Sequence, residues 1–348
     1  MRRKSREVKI GNIFIGGDNS IAIQSMLNTD PHDIKTSIEQ TLRLKEAGCD
    51  IVRLTIPDME AVKTISEIKS KVDIPLVADI HFDYRLALAS ADAGIDKIRI
   101  NPGNIGDTEN VRKVVLKCKE KNIPIRIGVN SGSLEKELIE KYGSPTPEAL
   151  AESVYSHIKI LENLDFNNIV LSLKSSSVSL MIDAYRIIAE KTTYPLHLGV
   201  TEAGTKEMGI IKSAIGIGSL LNDGIGDTIR VSLTEDPVEE IYAAKKILKG
   251  LGYKGYGPQI VSCPTCGRTK IDLISLAKRV EKAIENIDKD ITVAIMGCIV
   301  NGPGEAREAD IGIAGGKGKA VIFKKEEILK TVNECDIEKE LLSEIEKL

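Results

Sequence analysis

The chain reads as an α/β protein, a (β/α)8 TIM barrel followed by a small α/β domain. Between about residues 20 and 250 a short β-branched stretch followed by an amphipathic helical stretch recurs eight times. Turn signals such as Ala47-Gly48-Cys49-Asp50, Ala93-Gly94-Ile95-Asp96 and Asp223-Gly224-Ile225-Gly226-Asp227 separate the units. The alternation then stops at a glycine-rich linker, Gly250-Leu251-Gly252-Tyr253-Lys254-Gly255-Tyr256-Gly257-Pro258. Alternating strands and helices imply a parallel sheet covered by helices. Eight such units in about 230 residues fit a closed barrel, with a doubly wound open sheet as the competing arrangement. The expected domains are 1–250 and 258–348.

The segment Val8–Gly17, with its Ile10-Gly11-Asn12-Ile13 turn, reads as a small hairpin placed to plug the bottom of the barrel. Barrel strands are expected at Ile21–Leu27, Asp50–Ile56, Ile74–His81, Lys97–Asn101, Pro124–Asn130, Ile169–Ser175, Leu196–Thr201 and Thr228–Leu233. Helices fill the intervals, among them Asp33–Ala47, Asp58–Ser70, Asn110–Lys121 and Pro237–Leu248. Beyond the linker come strand Ile260–Ser262, helix Asp272–Asn286, strands Thr292–Met296, Ile311–Ala314 and Ala320–Phe323, and a terminal helical region. Gly315-Gly316-Lys317-Gly318-Lys319 resembles a phosphate cradle, but its place between two strands makes it a hairpin turn.

Composition narrows the function. The chain has 348 residues, 42% hydrophobic, enough for one large core or two. Lys+Arg 48 against Asp+Glu 51 gives a net charge of -3, no reason to expect nucleic acid or an anionic membrane as partner. No apolar run approaches a membrane span. The basic start, Met1-Arg2-Arg3-Lys4-Ser5-Arg6, is followed by no apolar signal region. The expectation is a cytoplasmic protein whose thiols stay reduced.

In such barrels chemistry sits at the C-terminal ends of the strands. Those ends carry Arg53, Asp79, His81, Arg99, Asn101, Arg126, Asn130, Lys174, Thr201, Glu202, Arg230 and Ser232. The five cations Arg53, Arg99, Arg126, Lys174 and Arg230 are costly to bury without anions, and the same ends offer only Asp79 and Glu202. A bound polyanion accounts for them better than scattered core ion pairs. Arginine forks match phosphate oxygens and lysine adds a point charge, so a small phosphate ester is expected, and a diphosphate best fits this many cations. His81 is either a donor in the site or a satisfied strand residue. His197 reads as core, and nothing recommends His32 or His157.

Cys263 and Cys266 form a Cys-x-x-Cys pair, and Cys298 lies in a second glycine-rich loop that Glu305 closes. This is metal-ligand spacing, and thiolates select zinc, copper(I) or iron–sulfur clusters. Three thiolates need a fourth ligand of another kind or leave a position open, and no His follows residue 197. The competing readings are a thioredoxin-type pair and a structural zinc with Cys335, which lies in a charged, helical-looking segment. Cys49 and Cys118 fall at helical positions and read as small apolar residues.

Seven motifs carry a family resemblance. In the barrel they are Val52-Arg53-Leu54-Thr55, Val77-Ala78-Asp79-Ile80-His81-Phe82, and Lys97-Ile98-Arg99-Ile100-Asn101-Pro102-Gly103-Asn104. Ile125-Arg126-Ile127-Gly128-Val129-Asn130-Ser131-Gly132-Ser133 and Leu198-Gly199-Val200-Thr201-Glu202-Ala203-Gly204 follow. Ser262-Cys263-Pro264-Thr265-Cys266-Gly267-Arg268 and Met296-Gly297-Cys298-Ile299-Val300-Asn301-Gly302-Pro303-Gly304-Glu305 complete the set, and these two together are highly specific. Over almost its whole length the chain resembles the 4-hydroxy-3-methylbut-2-en-1-yl diphosphate synthases of the non-mevalonate isoprenoid pathway, in their bacterial two-domain form.

That resemblance implies a [4Fe–4S] cluster held by Cys263, Cys266, Cys298 and Glu305, with Glu305 a harder and weaker ligand than a thiolate. It implies 2-C-methyl-D-erythritol 2,4-cyclodiphosphate as substrate, reductively dehydrated and ring-opened with two electrons from flavodoxin or ferredoxin. It places the diphosphate on Arg53, Arg99, Arg126, Asn130, Lys174 and Ser232, to which the strand reading adds Arg230, and puts Glu202 beside the reacting carbons. Two rival readings come from the residues alone: a zinc-dependent or pterin-type barrel enzyme acting on a phosphate ester, and a non-enzymatic electron carrier, which would leave the strand-end cations unexplained.

The linker carries a further expectation. A helix ending near Leu248 delivers the chain to the bottom of the barrel, and the roughly ten residues to Pro258 reach at most ~35 Å. The cluster domain is therefore expected away from its own barrel mouth, in a head-to-tail homodimer where each cluster domain serves the partner's barrel. The resemblance points the same way.

Overall fold

Period-two alternation inside short β-branched strands builds the first unit. In the computed structural model, which describes residues 2–285, 287, 289–298, 308–325 and 327–348, the chain divides into two compact units meeting at Ile247 and Leu248. Val8–Ile10 (β1) and Ile13–Ile15 (β2) form an antiparallel hairpin. Gly11 turns it with φ +58, a region glycine enters without a Cβ penalty. Val8, Ile10 and Ile15 pack with Ala22, Ile51, Val77 and Val170, residues at the starts of four barrel strands. The hairpin thus closes the N-terminal end of the barrel with apolar side chains, as the sequence predicts.

Eight parallel strands follow: Ala22–Met26 (β3), Ile51–Thr55 (β4), Leu76–Asp79 (β5), Lys97–Ile100 (β6), Ile125–Asn130 (β7), Ile169–Lys174 (β8), His197–Leu198 (β9) and Thr228–Ile229 (β10). Their order is β8-β7-β6-β5-β4-β3-β10-β9. A bridge between Leu171 and Leu196 joins the two ends into a barrel. The helices between strands are Ile34–Glu46 (α1), Lys63–Lys71 (α2), Tyr84–Asp92 (α3), Thr108–Lys121 (α4), Lys136–Tyr142 (α5), Pro147–Glu162 (α6), Val178–Lys191 (α7), Lys206–Asn222 (α8) and Pro237–Gly250 (α9). Asp33, Asp83, Asp107 and Thr146 cap four of them, each accepting a bond from a first-turn N–H. β5, β6 and β8 are buried along their whole length, as parallel strands covered on both faces are.

The last two barrel strands are shorter than the sequence predicts. A glycine within a strand marks a close backbone approach. A Cβ on Gly199 would lie 2.7 Å from the Arg230 carbonyl, so the β9–β10 ladder ends there. The β8–β9 seam is completed by a side chain. Leu173 N–H donates to the Tyr185 hydroxyl at 3.0 Å, and that hydroxyl donates to the His197 carbonyl. Tyr185→Phe leaves both backbone groups buried without partners. The expected cost is about 1–3 kcal/mol, read as a lower denaturant midpoint, and an unchanged midpoint would mean the hydroxyl does not hold the seam.

The second unit is a five-stranded sheet, Gln259–Ser262 (β11), Thr292–Met296 (β12), Ile311–Gly315 (β13), Lys319–Lys324 (β14) and Glu327–Asn333 (β15), in sequence order. β11, β12 and β13 are parallel, and β14 and β15 add antiparallel. Leu273–Ile284 (α10) and Ile337–Glu346 (α11) cover it through Leu276, Val280, Ile284, Leu341 and Ile345. The glycine-rich segment after β13 is a hairpin turn, with Gly316 N–H bonded to Lys319 O at 2.6 Å. One expectation is corrected. Glu327–Asn333 is an edge strand rather than part of a terminal helical region, because pairing with β14 outweighs the helical composition of Glu-Ile-Leu-Lys. Among the described residues no helix is long and apolar enough to cross a membrane.

Candidate active site: a cationic barrel mouth and two cysteine loops

Strand register gathers the barrel cations. Met26 pairs with Arg53, Thr55 with Asp79, Asp79 with Arg99, Arg99 with Arg126, and Asn130 with Lys174. Alternation turns these positions to the interior, above the apolar floor made by Ala22, Ile51, Val77 and Val170.

Asp79, 1% exposed, is shared by two arginines. It accepts from Arg53 Nη2 at 2.8 Å and from Arg99 Nη1 at 3.2 Å, with His81 Nε2 at 3.8 Å. Burial alone would raise this carboxyl, but Arg53, Arg99 and His81 outweigh it and hold it well below the usual carboxylate range. Burial and neighbouring cations bring Arg53 down to about 10 despite Asp79. Gly128 makes room for Arg99, since a Cβ there would lie 2.6 Å from Arg99 Nε.

Arg126 and Lys174 are different. Both are buried, and among the described residues neither has a carboxylate within 4 Å. Arg126 Nε and Nη1 have no hydrogen-bond partner. Burial and the surrounding cations push both groups well below their ordinary values. Below them lie residues not expected from the sequence as part of the site. Lys97 is fully buried, with Gln24 Oε1 at 3.4 Å, and His197 Nδ1 bonds Thr228 Oγ1 at 2.7 Å. His197 is thus interior, as expected, but it belongs to a polar layer under the cations.

Arg230 is occupied. Its Nε and Nη2 each reach Glu240 at 3.2 Å, and Glu240 also accepts from Ser25 Oγ at 2.8 Å and Leu233 N at 3.1 Å. Glu240 lies on α9, so a search confined to strand ends misses it. Asn130 and Ser232 are half-buried beside the mouth. Glu202 is exposed after β9 and holds φ +51, a left-handed conformation uncommon for a non-glycine residue. Of the remaining histidines, His32 bridges Asp30 and Asp58 at 2.9 Å each on the surface, and His157 lies 2.8 Å from Glu135. The cations Arg53, Lys97, Arg99, Arg126, Lys174 and Arg230 therefore meet only Asp79 and Glu240 among the described residues. Such an excess suits a multiply charged anion with phosphate-like oxygens.

In the second unit β11 and β12 are parallel neighbours, with Ser262 paired to Ile295. Cys263 follows directly after β11, and Cys298 comes two residues after β12, so both cysteine loops leave from the C-terminal ends of neighbouring parallel strands. Gly297 N–H donates to Cys263 Sγ at 3.2 Å, and Lys270 N–H bonds Gly297 O at 3.0 Å, tying the loops together. Cys298 is buried, Cys263 half-buried and Cys266 exposed. The backbone N–H of Arg268 holds the Cys266 thiol below its ordinary value. Glu305 lies outside the described residues. Among the described residues no three His, Cys, Asp or Glu side chains are grouped to hold a metal ion. Burial pushes Cys49 and Cys118 up to about 12, which makes them inert thiols. Cys335 is exposed in a short 3-10 turn, Glu334–Asp336.

Comparison with known proteins gives concordant matches over both units. Residues 5–245 match the GcpE TIM-barrel domain and residues 259–347 the GcpE protein C-terminal domain. A relative from Clostridium perfringens is 62% identical over 347 residues, covering 100% of this chain and 99% of that protein. One from Caldanaerobacter subterraneus subsp. tengcongensis is 60% identical over 348 residues, covering 100% and 98%. Both are named 4-hydroxy-3-methylbut-2-en-1-yl diphosphate synthase (flavodoxin). Among solved structures, a dihydropteroate synthase from Coxiella burnetii with pteroic acid superposes with a TM-score of 0.52 at 12% identity, covering 72% of this chain and 98% of that one. At that identity the likeness shows the barrel fold alone.

Proposed function

The chain belongs to the GcpE family, and from that membership we propose how its two units divide one reaction. The protein is a 4-hydroxy-3-methylbut-2-en-1-yl diphosphate synthase of isoprenoid biosynthesis, an oxidoreductase. It opens 2-C-methyl-D-erythritol 2,4-cyclodiphosphate to 4-hydroxy-3-methylbut-2-enyl diphosphate. Counting the phosphates as acids, two electrons and two protons enter and one water leaves. The observation that carries the reading is the buried, unpartnered guanidinium of Arg126 beside Lys174. Arg53, Arg99, Arg126, Lys174, Asn130 and Ser232 hold the diphosphate and fix the reacting carbons above it. Arg230, braced by Glu240, closes the cage as a positioning charge. Glu202 holds or moves a proton at the reacting carbons.

The iron–sulfur cofactor of this enzyme is read as a [4Fe–4S] cluster on Cys263, Cys266, Cys298 and Glu305. The donor chemistry fits: two loops that follow neighbouring parallel strands carry three thiols, and a backbone N–H already donates to Cys263 Sγ, as such bonds do to cluster sulfurs. When bound, the cluster supplies single electrons and a Lewis-acidic iron. Flavodoxin, the donor in the relatives' names, is the expected source of electrons, with ferredoxin the alternative, and the cytoplasm is the expected compartment. The test is anaerobic turnover of the cyclic diphosphate with reduced flavodoxin, followed by mass spectrometry. No product from protein with full iron and sulfide would overturn the reading.

The assembly we propose is a head-to-tail homodimer. α9 ends at Gly250 and β11 begins at Gln259. A link that short, leaving from the barrel end opposite the cations, favours service of the partner's mouth. Mixing an Arg126→Ala chain with a Cys298→Ala chain is expected to restore activity that neither has alone, because a mixed dimer keeps one intact barrel facing one intact set of thiols. No recovery despite demonstrated subunit exchange would mean that each chain builds its own site.

A further inference from the structure

The layer beneath the diphosphate seat holds an amine that the reaction as proposed does not use. Lys97 is the first residue of β6, fully buried, with its Nζ reaching across the barrel to Gln24 Oε1 on β3. That contact, at 3.4 Å, is long for a hydrogen bond to an ammonium. The charged groups whose fields reach it are Arg53 on β4 and Arg126 on β7, with His197 on β9 in the same layer. Arg99 on β6 and Lys174 on β8 lie further along their strands toward the mouth, and the plugging hairpin brings only apolar side chains. The carboxylate on β5, Asp79, is already shared by Arg53 and Arg99, and Glu240 is taken by Arg230 and Ser25. Gln24 Nε2 and His197 Nε2 have no hydrogen-bond partner. An ammonium at this place has one weak acceptor and several like charges, and nothing offsets its loss of water.

We propose that Lys97 is a proton-loading residue beneath the diphosphate seat, a neutral amine in the empty barrel that takes up a proton when a diphosphate binds above it and releases it when the anion leaves. The proposal rests on the anion seat described under Proposed function. Its physical basis is the geometry: a fully buried amine with one acceptor at 3.4 Å and no carboxylate partner among the described residues. Burial and the Arg126 and Arg53 charges push its ammonium in the same direction, below the ordinary range. An arriving anion reverses the sign of the local field. The device lets the fold carry more cations around the substrate than the empty barrel could hold charged at once. It also makes the seat's affinity fall as pH rises, because less free proton is available for loading.

Isothermal titration of the full chain with inorganic pyrophosphate tests it, at one pH in two buffers of different protonation enthalpy. The difference between the heats gives the protons taken up, and pyrophosphate's own ionisation is common to all variants. Wild type is expected to take up about one proton more than Lys97→Met, which lacks the amine. Gln24→Glu gives Lys97 a carboxylate that keeps it charged with or without ligand, so its uptake also falls by about one proton while binding persists. This variant carries the comparison if melting curves show Lys97→Met unfolded. Equal uptake in wild type and the variants would assign the proton to Lys174, His197 or the ligand and overturn the role of Lys97. No pyrophosphate binding by wild type would overturn the seat itself, and the proposal with it.

Discussion

Cys298→Ala is expected to yield protein without a cluster and with turnover at background. Cys298 sits at the buried end of the β12 loop, beside the loop that carries Cys263, and a methyl group there offers iron no ligand. On the proposed ligand set the remaining partners are two thiolates and the carboxylate Glu305, a poorer partner for iron than a thiolate, and they are not expected to compensate. Cys263→Ala and Cys266→Ala should behave alike. Cys49→Ala and Cys118→Ala should keep iron, sulfide and colour, because those thiols are buried in the barrel unit and pushed up to about 12. Glu305→Ala is expected to keep part of the cluster but lose most of its turnover. The measurement is iron and sulfide content with an anaerobic visible spectrum. Full cluster and activity in Cys298→Ala would remove the cysteine loops from the assignment, and a colourless wild type loaded with zinc would restore the zinc reading.

The barrel was legible because its strands are short, β-branched and separated by glycine turns, and because arginines inside such strands stand out against Ile and Val. Arg53, Arg99, Arg126 and Lys174 fall together in the structure for that reason. Arg230 was visible too, but its partner was not, since Glu240 sits on a helix at a position that reads as an ordinary exposed face. Lys97 was equally within reach. It is two residues before Arg99 on one strand, so alternation puts both inside, but at a strand's first residue it reads as a surface cap. The strands at Leu196 and Thr228 came out short because a glycine's close approach is a tertiary fact, not a local one. β15 was missed because Glu, Lys and Leu favour a helix until a neighbouring edge strand offers its hydrogen bonds. The cysteine spacing named a metal chemistry, yet the number of irons and the fourth ligand came from resemblance, which spacing cannot supply.

Asp79→Asn is expected to cost the barrel about 3–5 kcal/mol, the usual penalty for removing one partner of a buried ion pair. Here one carboxylate, 1% exposed, serves two guanidiniums, Arg53 and Arg99, while Arg126 and Lys174 already lack carboxylate partners. The neutral amide keeps the shape and loses the charge, so the cage is left with cations that repel one another. For a unit of this size the loss corresponds to a fall on the order of 10 °C in the unfolding midpoint. Acid should reproduce it in wild type. The folded-state carboxyl is held below its unfolded value near 4, so its contribution is complete above that pH and is lost as pH falls through the lower folded value. Pyrophosphate should reverse the defect, because an anion in the seat supplies the charge that the variant lacks, and the ligand-induced rise in midpoint should exceed that of wild type. A midpoint within about 2 °C of wild type would mean that Asp79 does not hold the arginines against one another. A large fall without rescue by pyrophosphate would mean that the cations it restrains do not form the anion seat.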